Sequence, residues 1–392
     1  MTTSYSPPRP PRHVDHATVY RHDDEFCSWP YTSGFWETAD GTLIANFATR
    51  NVEYGNGGGA IRHDVLGKNS TNPRTVTVRS HDRGRTWDGA NPQYDMMAGP
   101  GGAGGPRVPR DQMATMFDEP VDYLDPNVLV SNGSIGGFAT EGTQGTVRLS
   151  KDGGKTWGKT ILVPLENIPS MTAIESTLVR PDGRCLLFMF SVDKDNTHRR
   201  PLVYGSINEG REFRFISYIV PREDPWGQTA GQYTDPSVAF VGHRWFYPRG
   251  YLLKSGRIIC STRCQRDPTG VMWSEVFYSD DGGDTWDFLS RINDYGAPTS
   301  LVIMPDERIV AVSGYRLMPS GIRATVSEDG GKTWGPEIVV RDDGGSWDLG
   351  YPNAWMVDDK TVGTLYYFNS KNDPIQANGG VRHIERSIFT ID

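Results

Sequence analysis

One short pattern recurs along this chain and limits what it can fold into. Ser80–Trp87 reads SHDRGRTW, Ser150–Trp157 reads SKDGGKTW, Ser279–Trp286 reads SDDGGDTW and Ser327–Trp334 reads SEDGGKTW. A worn fifth copy, SINEGREF, runs from Ser206 to Phe213, with Asn208 in place of the aspartate and Phe213 in place of the tryptophan. Serine and aspartate side chains bond nearby backbone N–H groups, and glycine permits positive φ, so each copy suits a tight hairpin. The tryptophan then plugs back into a sheet. A chain punctuated in this way is built from similar supersecondary units.

The segments between these turns complete the units. GFWETADGTLIANFATR (34–50) reads as strand, D-G turn, strand, and RTVTVRS leads into the first repeat. The same plan returns in NVLVS, SIGGFAT and GTVRLS, in AIESTLVRPDGRCLLFMFS (173–191), in GYLLKSGRIICSTR with SEVFYS, in PTSLVIMPDERIVAVSGYR with RATVS, and in NAWMVDDKTVGTLYYFN with RHIERSIFTI. After a repeat comes a further strand, such as KTILVPL or PEIVVRD. Apolar residues alternate within the strands, and no long amphipathic helix is evident. Six such units at irregular spacing predict an all-β, six-bladed β-propeller over residues 25–392. The 45 glycines, 27 prolines and 11 tryptophans fit many short strands joined by tight turns. Residues 1–24, rich in Pro and Arg, are expected to form an N-terminal arm over the surface. The repeats themselves read as turns that stabilise the fold, not as catalytic groups.

The formal charge of −8 argues against a nucleic-acid surface. The chain has no phosphate loop, no dinucleotide fingerprint and no metal-ligand spacing, so no cofactor and no metal are expected. Cys27, Cys185, Cys260 and Cys264 make no disulfide framework, and Cys260 and Cys264 flank STR in a poor zinc spacing. The first residues lack an apolar signal core and no run is long enough to span a membrane. The expectation is a cytoplasmic protein without membrane partners, or a secreted or periplasmic one if a leader has been removed. Oligomeric state is open.

The pattern S-x-D-x-G-x-x-W, repeated across blades, resembles the sialidase (neuraminidase) superfamily with its Asp-box, or bacterial neuraminidase, repeats. The resemblance covers about residues 25–392. It implies a tyrosine nucleophile assisted by a glutamate, an aspartate acid/base and arginines that hold a substrate carboxylate. DLGYPNAWMVDDKTVGTLYYF resembles the family's tyrosine stretch, which puts Tyr351 in the nucleophile position. A phenol needs a proton acceptor to be a good nucleophile. Glu175, in IESTLVRPDG, resembles the family's glutamate, offset by about one residue from its turn. Arg263, in GRIICSTR, and Arg316, in RIVAVSGYR, end second strands, where the family places carboxylate-binding arginines, and guanidiniums suit bidentate recognition. The family carries its glutamate and second arginine in one blade; here Glu175 and Arg263 fall in blades three and four, and the arginine position after Glu175 is near Phe190. Arg266, Arg249 and Arg244 are alternatives.

The first blade departs furthest from the family. EFCSWPYTSGFW has no arginine at the matching place and carries Tyr31 and Ser33 near it, so the triad lacks its first member. Arg50, closing ANFATR, does match an arginine that follows the first sheet pair. The acid/base candidate is Asp64, in IRHDVLG, with the adjacent His63 as an alternative and Asp24 and Glu25 as rivals. The resemblance implies an exo-acting, sialidase-like glycoside hydrolase on an acidic or modified saccharide, not necessarily sialic acid. Two other readings stand beside it. One is a lyase that abstracts the proton next to a uronate carboxylate; the other is a non-catalytic carbohydrate-binding propeller.

Overall fold

The computed structural model describes residues 7–55, 60–62, 66–96, 109–192, 199–220, 244–265 and 272–391. The strands form the six blades of a β-propeller, in chain order. The third blade shows the plan: Met171–Val179 is innermost, followed outward by Cys185–Val192, Arg199–Ile207 and Glu212–Tyr218, all antiparallel. Arg244–Leu252, Ile258–Gln265, Met272–Ser279 and Asp287–Asn293 make the fourth blade. A single parallel bridge, Arg199 to Arg244, joins these two blades. The fifth blade runs from Thr299–Ile303 through Ile309–Tyr315 and Gly321–Ser327 to Ile338–Arg341. Second strands are clamped between neighbouring blades and are mostly buried on both faces. Every residue of Cys185–Val192 (CLLFMFSV) is buried.

The sixth blade closes the ring. Gly350–Asp358, Thr361–Phe368 and His383–Thr390 supply three strands, and the outer one is Val14–Tyr20. Part of the expected arm is therefore a strand. It runs antiparallel to His383–Thr390, with Val14 opposite Phe389 and Thr18 opposite Glu385. Pairing the start of the ring with its end leaves no open seam between blades. Around this seam His383 Nε2 lies 3.0 Å from Glu385, which also takes Arg341 and Thr18.

The four intact S-x-D-x-G-x-T-W turns share one set of bonds. Ser80 donates to Asp82 (2.8 Å), the Gly84 N–H donates to Ser80 Oγ (2.8 Å), and the Thr86 N–H donates to Asp82 (2.9 Å). The same contacts recur at Ser150, Ser279 and Ser327. Hydrogen bonds from threonine and from the backbone hold Asp152 and Asp329 down to about 2. The tryptophans staple a turn to the preceding blade. Trp286 Nε1 donates to Ser217 Oγ (3.1 Å) and Trp334 Nε1 to Ser290 Oγ (3.0 Å).

The first blade differs at its inner edge. Glu25–Ser28 and Phe35–Glu37 both pair with Leu43–Asn51, and between them lies the one-turn helix Pro30–Ser33. Trp29 precedes it with φ 56°, and Pro30 starts it, where a missing N–H costs nothing. Tyr31 is fully buried, and its hydroxyl donates to the carbonyls of Tyr247 (3.2 Å) and Thr299 (3.4 Å), in the fourth and fifth blades. Arg249 donates to Asn353 Oδ1 (2.8 Å) and to the Tyr31 carbonyl (2.5 Å) and stacks on the Tyr31 ring; Asn353 donates to the Pro30 carbonyl (2.8 Å). The stretch WPYTS thus reaches across the ring and is locked there by the fourth and sixth blades.

Candidate active site

Two inner strands are bulged where they face the site. Gly350–Asp358 slips register against Thr361–Phe368 between Gly350 and Asn353, and Tyr351 takes φ 54°. Arg244–Leu252 slips against Ile258–Gln265 between Phe246 and Arg249, and Tyr247 takes φ 55°. A left-handed conformation costs a bulky L-residue about 1–2 kcal/mol, so these are strained positions of the kind that gather at functional sites. A bulge re-aims a side chain. Here it sets the two tyrosine hydroxyls 3.1 Å apart, with the rings edge-on at 5.6 Å.

Two arginines complete the cluster. Arg263, near the end of Ile258–Gln265, donates through Nη1 to the Tyr351 hydroxyl oxygen (3.1 Å) and through Nη2 to Gln265 Oε1 (2.9 Å). Arg316 follows Ile309–Tyr315; its guanidinium carbon lies 5.4 Å from the centre of the Tyr351 ring. It donates to the Leu349 carbonyl (3.3 Å) and to the Tyr367 hydroxyl (3.4 Å). Glycines bring these blades together. A Cβ on Gly314 would stand 2.9 Å from the Gly350 Cα, so only glycine at 314 lets the strand bearing Arg316 approach the one bearing Tyr351.

The electrostatics are lopsided. Among the described residues neither Arg263 nor Arg316 pairs with a carboxylate, and the Nε of each is buried without a hydrogen-bond partner. The buried Asp348 accepts the Tyr367 hydroxyl (2.7 Å) and lies 3.6 Å from the buried Arg382. Burial disfavours a charged Tyr351. The guanidiniums of Arg263 and Arg316, with hydrogen bonds from Tyr247 and Arg263, outweigh it and bring the phenol below its ordinary 10.0. Tyr247 goes the other way: burial and the neighbouring Tyr351 hold its proton well above the usual range. Phe138, 51% exposed, packs edge-on to Phe190 (5.9 Å) and lies 5.9 Å from Tyr247. Trp347, 37% exposed, faces Arg316 at 5.4 Å.

The structure brings Tyr351, Arg263 and Arg316 together. Glu175 is also at a bulge, with φ 52° and a register slip between Ala173 and Thr177, but its carboxylate takes the Ser131 hydroxyl and makes no bond with Tyr351. Burial pushes the Glu175 carboxyl up to about 8, against the pull of Ser131, Asn132, Arg249 and Arg148. Arg50 is half-buried at the end of Leu43–Asn51, opposite Phe26. Asp64, His63 and Arg266 lie outside the described residues. Of the rivals, Glu25 is tied into its blade by Tyr20 (2.8 Å) and Thr49 (2.7 Å), and Arg249 secures Tyr31.

Tyr247 was not singled out from the sequence, although a signal exists. It precedes Gly256 of the K-S-G turn by the same nine positions that separate Tyr351 from Lys360 in D-D-K. Glu175 precedes Gly183 of its P-D-G turn by eight. All three occupy the bulge of an inner strand.

No protein-family model and no curated protein sequence matches this chain. Solved structures do. A protein of unknown function from Dyadobacter fermentans superposes with a TM-score of 0.66 at 21% identity, over 97% of this chain and 99% of that one. The sialidase of Trypanosoma rangeli gives a TM-score of 0.57 at 14% identity over 96% of this chain, which spans 59% of the sialidase chain. A Fusarium graminearum α-L-arabinofuranosidase, solved with arabinobiose, gives 0.56 at 16% identity, over 98% of this chain and 96% of that one. At these identities the likeness establishes the propeller fold.

Proposed function

We propose that the protein is a glycoside hydrolase that releases an anionic or modified sugar from the end of a saccharide, with Tyr351 as its nucleophile. One observation carries the proposal: the buried Arg263 and the half-buried Arg316, neither paired with a carboxylate among the described residues and each with a buried, unpartnered Nε, flank the Tyr351 phenol. Buried charge is costly unless it is paired. A carboxylate on the ligand would supply the missing partner through fork-like N–H···O bonds, and would bring the anomeric carbon to the Tyr351 oxygen. The Tyr351 oxygen, its proton already released to solvent, then bonds to that carbon as the glycosidic C–O bond breaks through an oxocarbenium-like state. The departing oxygen takes a proton from Asp64 or His63. Water cleaves the glycosyl–tyrosine bond and restores the enzyme. The neighbours include a sialidase and an arabinofuranosidase solved with arabinobiose. The paired arginines favour the acidic class here.

The test is a panel of aryl glycosides of acidic and neutral sugars, assayed with the wild type and with Tyr351→Phe. Release of an acidic sugar by the wild type, reduced by about 10³-fold or more in the variant, supports the reading. Unchanged turnover in Tyr351→Phe removes Tyr351 from the chemistry. An unsaturated, ultraviolet-absorbing product identifies a lyase, and binding without turnover a carbohydrate-binding propeller.

A further inference from the structure

We propose that Tyr351 rests as a phenolate, held by the guanidiniums of Arg263 and Arg316 and by a hydrogen bond donated by the Tyr247 hydroxyl. The catalytic consequence rests on the glycoside hydrolase reading; the ionisation itself does not.

The first argument counts protons. With both phenols protonated, Tyr351 and Tyr247 carry two O–H groups but share one O···O contact of 3.1 Å. The other partner of Tyr351 is Arg263 Nη1, which can only donate. Among the described residues neither hydroxyl has a further acceptor, so one buried O–H is left over. Leaving a buried donor unmade is unfavourable. Removing one proton cures the excess: Tyr247 donates, and the Tyr351 oxygen accepts from Tyr247 and from Arg263.

The second argument counts charge from every element packed on Tyr351. Arg244–Leu252 contributes Tyr247, and Ile258–Gln265 contributes Arg263. The end of Ile309–Tyr315 leads to Arg316, at 5.4 Å from the ring. Thr361–Phe368 contributes Tyr367, with ring centres 5.9 Å apart, and its proton is bound to Asp348. Asp348 in turn faces Arg382. Tyr31, from the helix Pro30–Ser33, packs on Tyr247, but its hydroxyl donates to backbone carbonyls. The balance is two cations beside Tyr351, with the nearby carboxylate answered by a third. One phenolate halves the uncompensated charge, and Tyr351 is the phenol that Arg263 contacts. The opposite pKa directions of the two tyrosines agree with this assignment.

A resting phenolate needs no carboxylate base at its side, which fits the turn of Glu175 toward Ser131. Tyr247 is then a positioning residue that stabilises the nucleophile's charge.

Tyrosinate absorbs at longer near-ultraviolet wavelengths than neutral tyrosine, so no substrate is needed. Absorbance is titrated against pH for the wild type, Tyr351→Phe and Tyr247→Phe, with a thermal melt to confirm folding. At about pH 7 the wild type is expected to show one tyrosinate that Tyr351→Phe lacks, and acidification should bleach it. Tyr247→Phe should move that midpoint up by about one pH unit or more. Should either variant fail to fold, the wild-type titration decides alone: a one-tyrosine step well below the bulk transition supports the proposal. A wild type whose tyrosines all titrate with the bulk near about pH 10, or that matches folded Tyr351→Phe at about pH 7, overturns it. Missing tyrosinate with intact sugar release would sink this inference and spare the proposed function. Tyrosinate without sugar release would do the reverse.

Discussion

Replacing Glu175 with glutamine keeps the shape of the side chain and removes its proton equilibrium. Burial raises the folded-state carboxyl from 4.5 to about 8, so the folded protein holds a proton that the unfolded chain has already lost across that window. The contribution to stability is complete below the unfolded value and is lost as pH rises toward about 8. At about 1.36 kcal/mol per pK unit, the full loss between about pH 5 and pH 8 is about 4 kcal/mol. The residue is only half-buried, and solvent screening brings this to about 2 kcal/mol. A chain of 392 residues unfolds with an entropy of about 0.8 kcal/mol/K, which converts the difference to about 2–3 °C in Tm. Melting curves of wild type and Glu175→Gln should therefore meet near about pH 5 and diverge until the variant is about 2–3 °C more stable near pH 8. A Tm difference that does not change with pH, or a wild type that gains on the variant as pH rises, refutes a neutral Glu175. It would reopen the reading of this residue as an ionised catalytic base.

Arg263→Lys and Arg316→Lys keep the charge but lose the planar fork, and each should raise KM for an acidic substrate by about 10–100-fold, with less effect on kcat, in steady-state assays. Arg249→Met removes one charge-assisted bond to the WPYTS plug and one to Asn353, which itself holds the plug, and should cost about 4 kcal/mol, a fall in Tm of about 5 °C by calorimetry. Gly314→Ala places a Cβ 2.9 Å from Gly350 and should destabilise by about 1–3 kcal/mol; it should also lower kcat/KM, because it separates the strands that carry Arg316 and Tyr351.

The blades were legible because their signals are local. Each S-x-D-x-G-x-T-W turn makes its own bonds within a few residues, and the strands beside it alternate. Tyr351, Arg263 and Arg316 could be picked out because the stretches that carry them resemble the sialidase superfamily's tyrosine stretch and its strand-end arginines. What joins them was harder to read. Tyr247 looks like ordinary aromatic packing at a strand start, and only the bulge turns it toward Tyr351. Glu175 shares that bulge geometry, but its blade directs it to Ser131. The closing strand Val14–Tyr20 lies beside a Pro- and Arg-rich stretch, and its partner is at the other end of the chain. In WPYTS the absent arginine was visible. Its place in the ring depends on Arg249 and Asn353, which nothing local announces.

The claim at the centre of this account is that Tyr351 attacks an anomeric carbon. It is tested most directly by incubating the protein with fluorinated, mechanism-based glycosides of acidic sugars and mapping the adduct by peptide mass spectrometry. The account predicts one glycosyl unit attached to the peptide containing Tyr351, and none on Tyr351→Phe. Sugar release with a label on another residue, or sustained turnover by Tyr351→Phe, would contradict it.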